Sequence, residues 1–213
     1  MENEDIKNVV LIVAHPDDET LWAGGTILAN PSWKCFVVCL CRKNDAERAP
    51  RFYAALKQLK AEGIMGDLDD GPEQDPLHEK EVEELIVQLL PPTPFDVVIT
   101  HNPDGEYTRH LRHEEISRAV ADLWRSGKLQ ATEFWTFAYE DGHKKYFPLA
   151  IPNASVYTNL SQTIWQQKYK LITETYGFEA EGWEAQTTPK AEAFWKFTDP
   201  SEIKKYRFEN EPV

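Results

Sequence analysis

The sequence predicts a single α/β domain built on a mostly parallel, doubly wound sheet, and three observations carry that expectation. Short apolar runs recur along the first two thirds of the chain, unbroken enough to be strands buried on both faces. Stretches with helical spacing separate them, and Pro, Gly or Asn clusters mark most junctions. This β/α alternation calls for right-handed crossovers and a Rossmann-like sheet, with the order 3-2-1-4-5 expected. The whole chain, 1–213, reads as one domain, with a core over 8–140 and an irregular C-terminal cap or extension over 141–213.

The elements follow in order. Residues 9–14, Val-Val-Leu-Ile-Val-Ala, predict the first strand, and His15-Pro16 ends it because proline cannot continue a central ladder. A helix is expected over 18–29, stopped by Asn30-Pro31-Ser32, and a second strand over 34–40. Phe52, Leu56 and Leu59 give 46–61 a helical stripe, with Gly63 placed as its C′ residue. A short strand over 64–68 and an acidic loop over 69–74 precede a helix over 77–90, stopped by Pro91-Pro92-Thr93-Pro94. The fourth strand spans 95–100, a polar segment 101–112, a helix 113–125 and a fifth strand 133–139. Beyond Asp141-Gly142 the pattern weakens. An edge strand over 156–160 and a helix over 161–176 are expected, and 177–213 shows no clear periodicity.

Composition narrows the functional classes. With 41% hydrophobic and 28% charged residues the chain is globular, and a net charge of −13 argues against nucleic acid or an anionic membrane as partner. No apolar run is long enough to span a bilayer. The acidic start, Met-Glu-Asn-Glu-Asp, lacks a signal peptide's apolar region, so a cytoplasmic protein is expected. Cys35, Cys39 and Cys41 share odd positions of the second strand and read as buried thiols. The expected partner is a small molecule, and a homo-oligomer is left open.

The chemistry concentrates at two loops. His15-Pro16-Asp17-Asp18-Glu19 sits where the first strand turns into a helix, the carboxyl end at which open α/β sheets bind ligands. His15 and Asp18 are three apart on a turn and face one point. With strands one and four adjacent, His110 and His113 lie on the opposite lip, and a third ligand from there completes a two-His, one-carboxylate site. Three protein ligands and an open position make a catalytic rather than a structural zinc site. Asp17 projects differently from Asp18 and is free to act as general base on a metal-activated water. His113 at a helix start stays neutral and able to ligate.

Ala14-His15-Pro16-Asp17-Asp18-Glu19 followed by Gly24-Gly25 resembles the signature of the LmbE-like, PIG-L family of zinc-dependent N-acetylglucosamine de-N-acetylases. His110-Leu111-Arg112-His113 is similar to that family's second motif, His-Pro-Asp-His. The resemblance covers residues 9 to about 120. It implies one Zn2+ on His15, Asp18 and His113, other divalent metals being compatible, with Asp17 as base. It also implies that His110 polarises the acetamide oxygen or acts as an acid, and that Arg51, twelve residues before Gly63, contacts substrate. The implied substrate is a small N-acetylated molecule, and the products are acetate and a free amine. Leu111 and Arg112 stand where the family has proline and aspartate, and Ala54 where it tends to have glutamate.

Asp104 and Tyr107 are further substrate-binding candidates beside the fourth strand, and Trp22 is placed to stack on a pyranose ring. His78 and His143 read as surface residues, while Trp165, Trp183 and Trp195 are assigned either to covering the crevice or to a subunit interface. Two other functions stay open. The same triad suits a non-haem iron oxygenase, and a non-catalytic Rossmann-like binding module shares the strand order but lacks a Gly-x-Gly-x-x-Gly fingerprint here.

Overall fold

The computed structural model describes residues 6–107 and 109–203. Strands β1 (Asn8–Val13), β2 (Lys34–Cys41), β3 (Glu62–Leu68), β4 (Phe95–Thr100) and β5 (Ala131–Phe137) pair in parallel in the order β3-β2-β1-β4-β5. The expected fold class and strand order hold. Helices α1 (Asp18–Ala29), α2 (Arg48–Leu59), α3 (Glu79–Leu89) and α4 (Leu111–Arg125) make the crossovers. Alternate residues of β1 feed two cores. Val9, Leu11 and Val13 pack with Leu21, Trp22, Phe52 and Leu56, whereas Val10, Ile12 and Ala14 pack with Val82, Ile86, Ile116 and Val120. A strand buried on both faces has no polar position to offer, hence the unbroken apolar run.

The C-terminal part extends the same sheet. After a two-stranded ribbon of β6 (Tyr139–Glu140) and β7 (Leu149–Ala150) comes β8 (Val156–Asn159), the edge strand expected near there. Helix α5 (Gln162–Lys170) continues into a π-helical turn (Leu171–Thr175), together filling the predicted 161–176 helix. The short α6 (Trp183–Thr187) and β9 (Ala191–Phe197) fall where no element was expected. Strand β9 lies antiparallel between β5 and β8, so the sheet reads β3-β2-β1-β4-β5-β9-β8.

Two local expectations are corrected. Gly63 is not the C′ residue of α2: Lys60 takes the left-handed conformation there, at φ 55°. Gly63 lies in β3, where a Cβ would stand 2.5 Å from the Val37 carbonyl oxygen, so close backbone approach demands glycine. A register shift between Cys39 and Cys41 also turns Cys41 to the opposite face from Cys35 and Cys39; all three thiols are buried and free. Among the described residues no helix is long and apolar enough to cross a membrane.

Candidate metal centre

Strands β1 and β4 are neighbours whose following chains leave in opposite directions, and the loops at their carboxyl ends meet. There, His15 Nδ1, Asp18 Oδ2 and His113 Nε2 form a triangle with sides of 3.2, 3.4 and 3.5 Å. Donors each about 2.05 Å from a tetrahedral cation stand about 3.3 Å apart, so the triangle has the size a zinc ion requires. His110 joins His15 and His113 in a second grouping of donor atoms, its ring stacked 4.5 Å from His113.

Each corner of the triangle is held from behind by another side chain. The Trp22 indole N–H donates to Asp18 Oδ1 at 3.1 Å, leaving Oδ2 for the centre. Glu106 Oε2 lies 2.7 Å from His113 Nδ1, and Asp70 Oδ1 lies 3.1 Å from His15 Nε2. Carboxylate–imidazole pairs of this kind fix the tautomer and aim the other ring nitrogen at a metal. Glu106 also bonds His101 Nδ1 at 3.0 Å, and His101 Nε2 accepts the Ala14 N–H at 3.0 Å. That second bond requires Nε2 to be the unprotonated nitrogen of His101, so its Nδ1–H points to Glu106.

The electrostatics suit a cation. Burial alone would lower the His15 pKa, but Asp18 and Asp70 outweigh it and hold the proton up to about pH 10. The buried Asp18 and the half-buried Asp70 thus stabilise positive charge where a metal would sit. Burial would raise the Glu106 pKa too, yet His101 and His113 bring it down to about 2. For His113, burial pushes the ring towards the neutral, ligating form.

Asp17 is the strained member of the loop. Its φ is 129°, outside the range ordinary side chains favour, and its carboxylate makes no capping bond to α1. The acids after β1 are therefore more than a helix cap. The Asp17 carboxylate instead accepts from Arg48 Nη2 at 3.0 Å, while burial and then the Asp18 charge push its pKa well up.

The substrate candidates divide. Tyr107 is at the site, its ring 5.6 Å from that of His113 and 6.2 Å from that of His110. Trp22 is wholly buried, so it supports Asp18 and offers no free face for stacking. Asp104 is exposed in a turn in which its N–H bonds Asn102 Oδ1. Arg51 bonds the Tyr176 carbonyl and Glu47, and the α2 guanidinium that reaches the metal loop is that of Arg48. Of the C-terminal tryptophans, Trp183 comes to the mouth of the site, 4.9 Å from Tyr107 and 6.4 Å from Trp22. His78 and His143 are exposed, as expected. Sequence reasoning missed Asp70, His101, Glu106 and Arg48. The only signal for them was position, since each follows a parallel strand at its carboxyl end.

Residues 10–124, more than half of the chain, match the PIG-L family, described as GlcNAc-PI de-N-acetylase. The chain belongs to the PIG-L family. It is thereby a hydrolytic de-N-acetylase by class. This PIG-L chain is 31% identical over 155 residues to the 1D-myo-inositol 2-acetamido-2-deoxy-alpha-D-glucopyranoside deacetylase of Corynebacterium diphtheriae, a match covering 53% of this chain and 52% of that protein. It therefore spans about half the length of that relative. Among solved structures, the N,N'-diacetylchitobiose deacetylase from Pyrococcus horikoshii superposes with a TM-score of 0.69 at 17% identity, covering 92% of this chain and 85% of that one. The 4-carboxy-2-hydroxymuconate hydratase from Pseudomonas putida superposes at 0.61 with 16% identity, covering 98% and 100%. One fold thus carries two reactions, and the chemistry must be argued from the site.

Proposed function

We propose that this PIG-L chain is a cytoplasmic, zinc-dependent hydrolase that removes the acetyl group of an N-acetylglucosamine-type or related small acetamide. The observation that carries this reading is the triangle of His15, Asp18 and His113, each corner braced by its own partner side chain. In it those three residues would hold the zinc, which would supply a water of pKa lowered from about 15.7 towards 7 and a Lewis acid for the acyl oxygen.

The remaining work falls to the chain's own groups. Asp17 takes the proton of the attacking water: burial and the Asp18 charge raise its proton affinity, and Arg48 fixes one of its oxygens. His110 is neutral, because burial and then its neighbours His113 and His15 press its pKa down to about 3. A neutral imidazole can donate one hydrogen bond to the developing oxyanion, but it is not an imidazolium acid. The proton given to the leaving amine then comes from Asp17, protonated in the first step. Tyr107 and the partly exposed Trp183 supply an apolar rim at the mouth, fitted to the carbon face of a sugar ring. The N-acetylglucosamine unit in the family description and in the Corynebacterium relative's name supports the substrate class.

The test is a panel of N-acetylated sugars and small amides, with acetate release measured for the zinc-loaded protein and for Asp17→Asn. The variant should retain its metal and lose about 10²- to 10⁴-fold in turnover. Undiminished acetate release would remove Asp17 from the mechanism. Iron as the native metal under anaerobic purification, with no acetate released, would favour the oxygenase reading instead.

A further inference from the structure

The second motif of this chain carries arginine where the family pattern has aspartate, and the buried position of that arginine gives the exchange a purpose. Arg112 is wholly buried. Its Nε donates to the Asp69 carbonyl at 2.6 Å, its Nη2 to the Asp75 carbonyl at 2.7 Å and its Nη1 to Glu115 Oε2 at 2.6 Å. The other Glu115 oxygen accepts the Leu77 N–H at 2.8 Å. Residues 69–77, which leave β3 without regular structure, are thus tied at both ends to the first turns of α4. Between the ties lies Asp70. Its Oδ1 meets His15 Nε2 at 3.1 Å, and its Oδ2 is gripped by Arg42 at 2.6 and 2.9 Å.

We propose that Arg112 is a positioning residue: it clamps the loop 69–77 so that Asp70 meets His15 Nε2 and aims His15 Nδ1 at the other two donors. As a matter of metal chemistry this rests on the deacetylase reading. The planar guanidinium suits the task, because its fork reaches two carbonyls and a carboxylate at once, which an ammonium cannot do in fixed geometry. A buried guanidinium is costly unless its donors are used, and here Nε, Nη1 and Nη2 each are. Among the described residues His110 Nδ1 is buried without a hydrogen-bond partner, and Arg112 is turned to the 69–77 loop and not to that ring.

The experiment compares Arg112→Gln, Arg112→Lys, Asp70→Asn and the Arg112→Gln/Asp70→Asn double variant by zinc affinity, in competition with a chromophoric chelator. Hydrogen exchange of residues 69–77 is followed in the metal-free proteins. Loss of an outer-shell partner typically weakens metal binding about 10- to 100-fold. Asp70→Asn and Arg112→Gln should each fall in that range, Arg112→Lys between them and wild type, and the double variant no lower than the weaker single one. Exchange in 69–77 should quicken in Arg112→Gln while β1 and β4 stay protected. Unchanged affinity in Arg112→Gln, losses that multiply in the double variant, or unchanged exchange in the loop would each overturn the proposal. Should Arg112→Gln not fold, Arg112→Gln/Glu115→Gln, which neutralises both members of the ion pair, carries the same readouts. A wild-type protein that binds no zinc would sink the deacetylase reading, while the clamp would still stand or fall on the exchange data.

Discussion

Asp17 and Asp18 are adjacent in the chain and opposite in chemistry. Burial acts to raise both, but His113, His15 and His101 outweigh it at Asp18 and hold that carboxylate ionised, whereas Asp17 feels the Asp18 charge and is pushed further up. In the proposed mechanism that difference suits Asp18 to ligation and Asp17 to base chemistry. His110 gives a testable counterpart. Its folded pKa, about 3, is below the 6.5 of an unperturbed ring, so the unfolded chain binds a proton across that interval and the folded one does not. Stability is therefore lost as pH falls from about 6.5 towards 3. In the metal-free protein His110→Gln should show a flatter decline over that window in melts taken at stepped pH, and an unchanged slope would count against a buried neutral ring. At this scale the sequence was legible where the chemistry is contiguous, as in His15 to Asp18. It was illegible where a partner comes from another loop, as with Glu106 on His113 or Asp70 on His15. Arg48 and Arg51 show a third limit: three residues apart on α2, they share a face, and only the fold selects Arg48.

Elements were readable where burial imposes one pattern. Strands β1, β2 and β4 are apolar on both faces, and α1 fills the predicted 18–29 without adjustment. Strand β9 was missed because a charge sits at an inward position. Glu192 is wholly buried, paired with the equally buried Lys168 at 2.6 Å, and accepts the Gly25 and Thr26 N–H groups and the Thr26 hydroxyl. A pattern of apolar-in, polar-out cannot anticipate a residue whose inward charge is answered by α5, far away in the chain. Lys168→Met should cost about 3–5 kcal/mol in denaturant unfolding, because Glu192 is left buried and unpaired, and adding Glu192→Gln should recover part of it. An equal loss in the single and double variants would mean that the pair is not the brace. The short α6 matters for its first residue. Trp183→Ala should raise KM for the acetylated sugar with kcat nearly unchanged, since the ring lies at the mouth and not on the reacting atoms. A fall in kcat at constant KM would move Trp183 out of the binding rim.

At the scale of the whole molecule, the parallel strands bring four loops to one point: those after β1, β2, β3 and β4 supply His15 with Asp18, Arg48, Asp70, and Glu106 with His113. Residues 141–203 then close the open side. Strand β9 covers the edge of β5, setting Phe194 beside Trp135 and Phe137, and Tyr176 donates to Glu19 Oε1 at 2.7 Å behind the metal loop. The predicted division into a core over 8–140 and an extension is thus a boundary in the sequence pattern, crossed by the sheet, by the Glu192 brace to α1 and by the Tyr176 bond. A fragment of residues 1–140 should consequently lack a cooperative thermal transition. It exposes the ladder groups of β5 and the apolar residues around Trp135, and it leaves the buried Glu19 without its tyrosine. The open edge should also drive association, seen as concentration-dependent species in sedimentation. A monomeric fragment melting cooperatively near the full-length temperature would show instead that the parallel half is a self-sufficient unit and the rest an appendage to it.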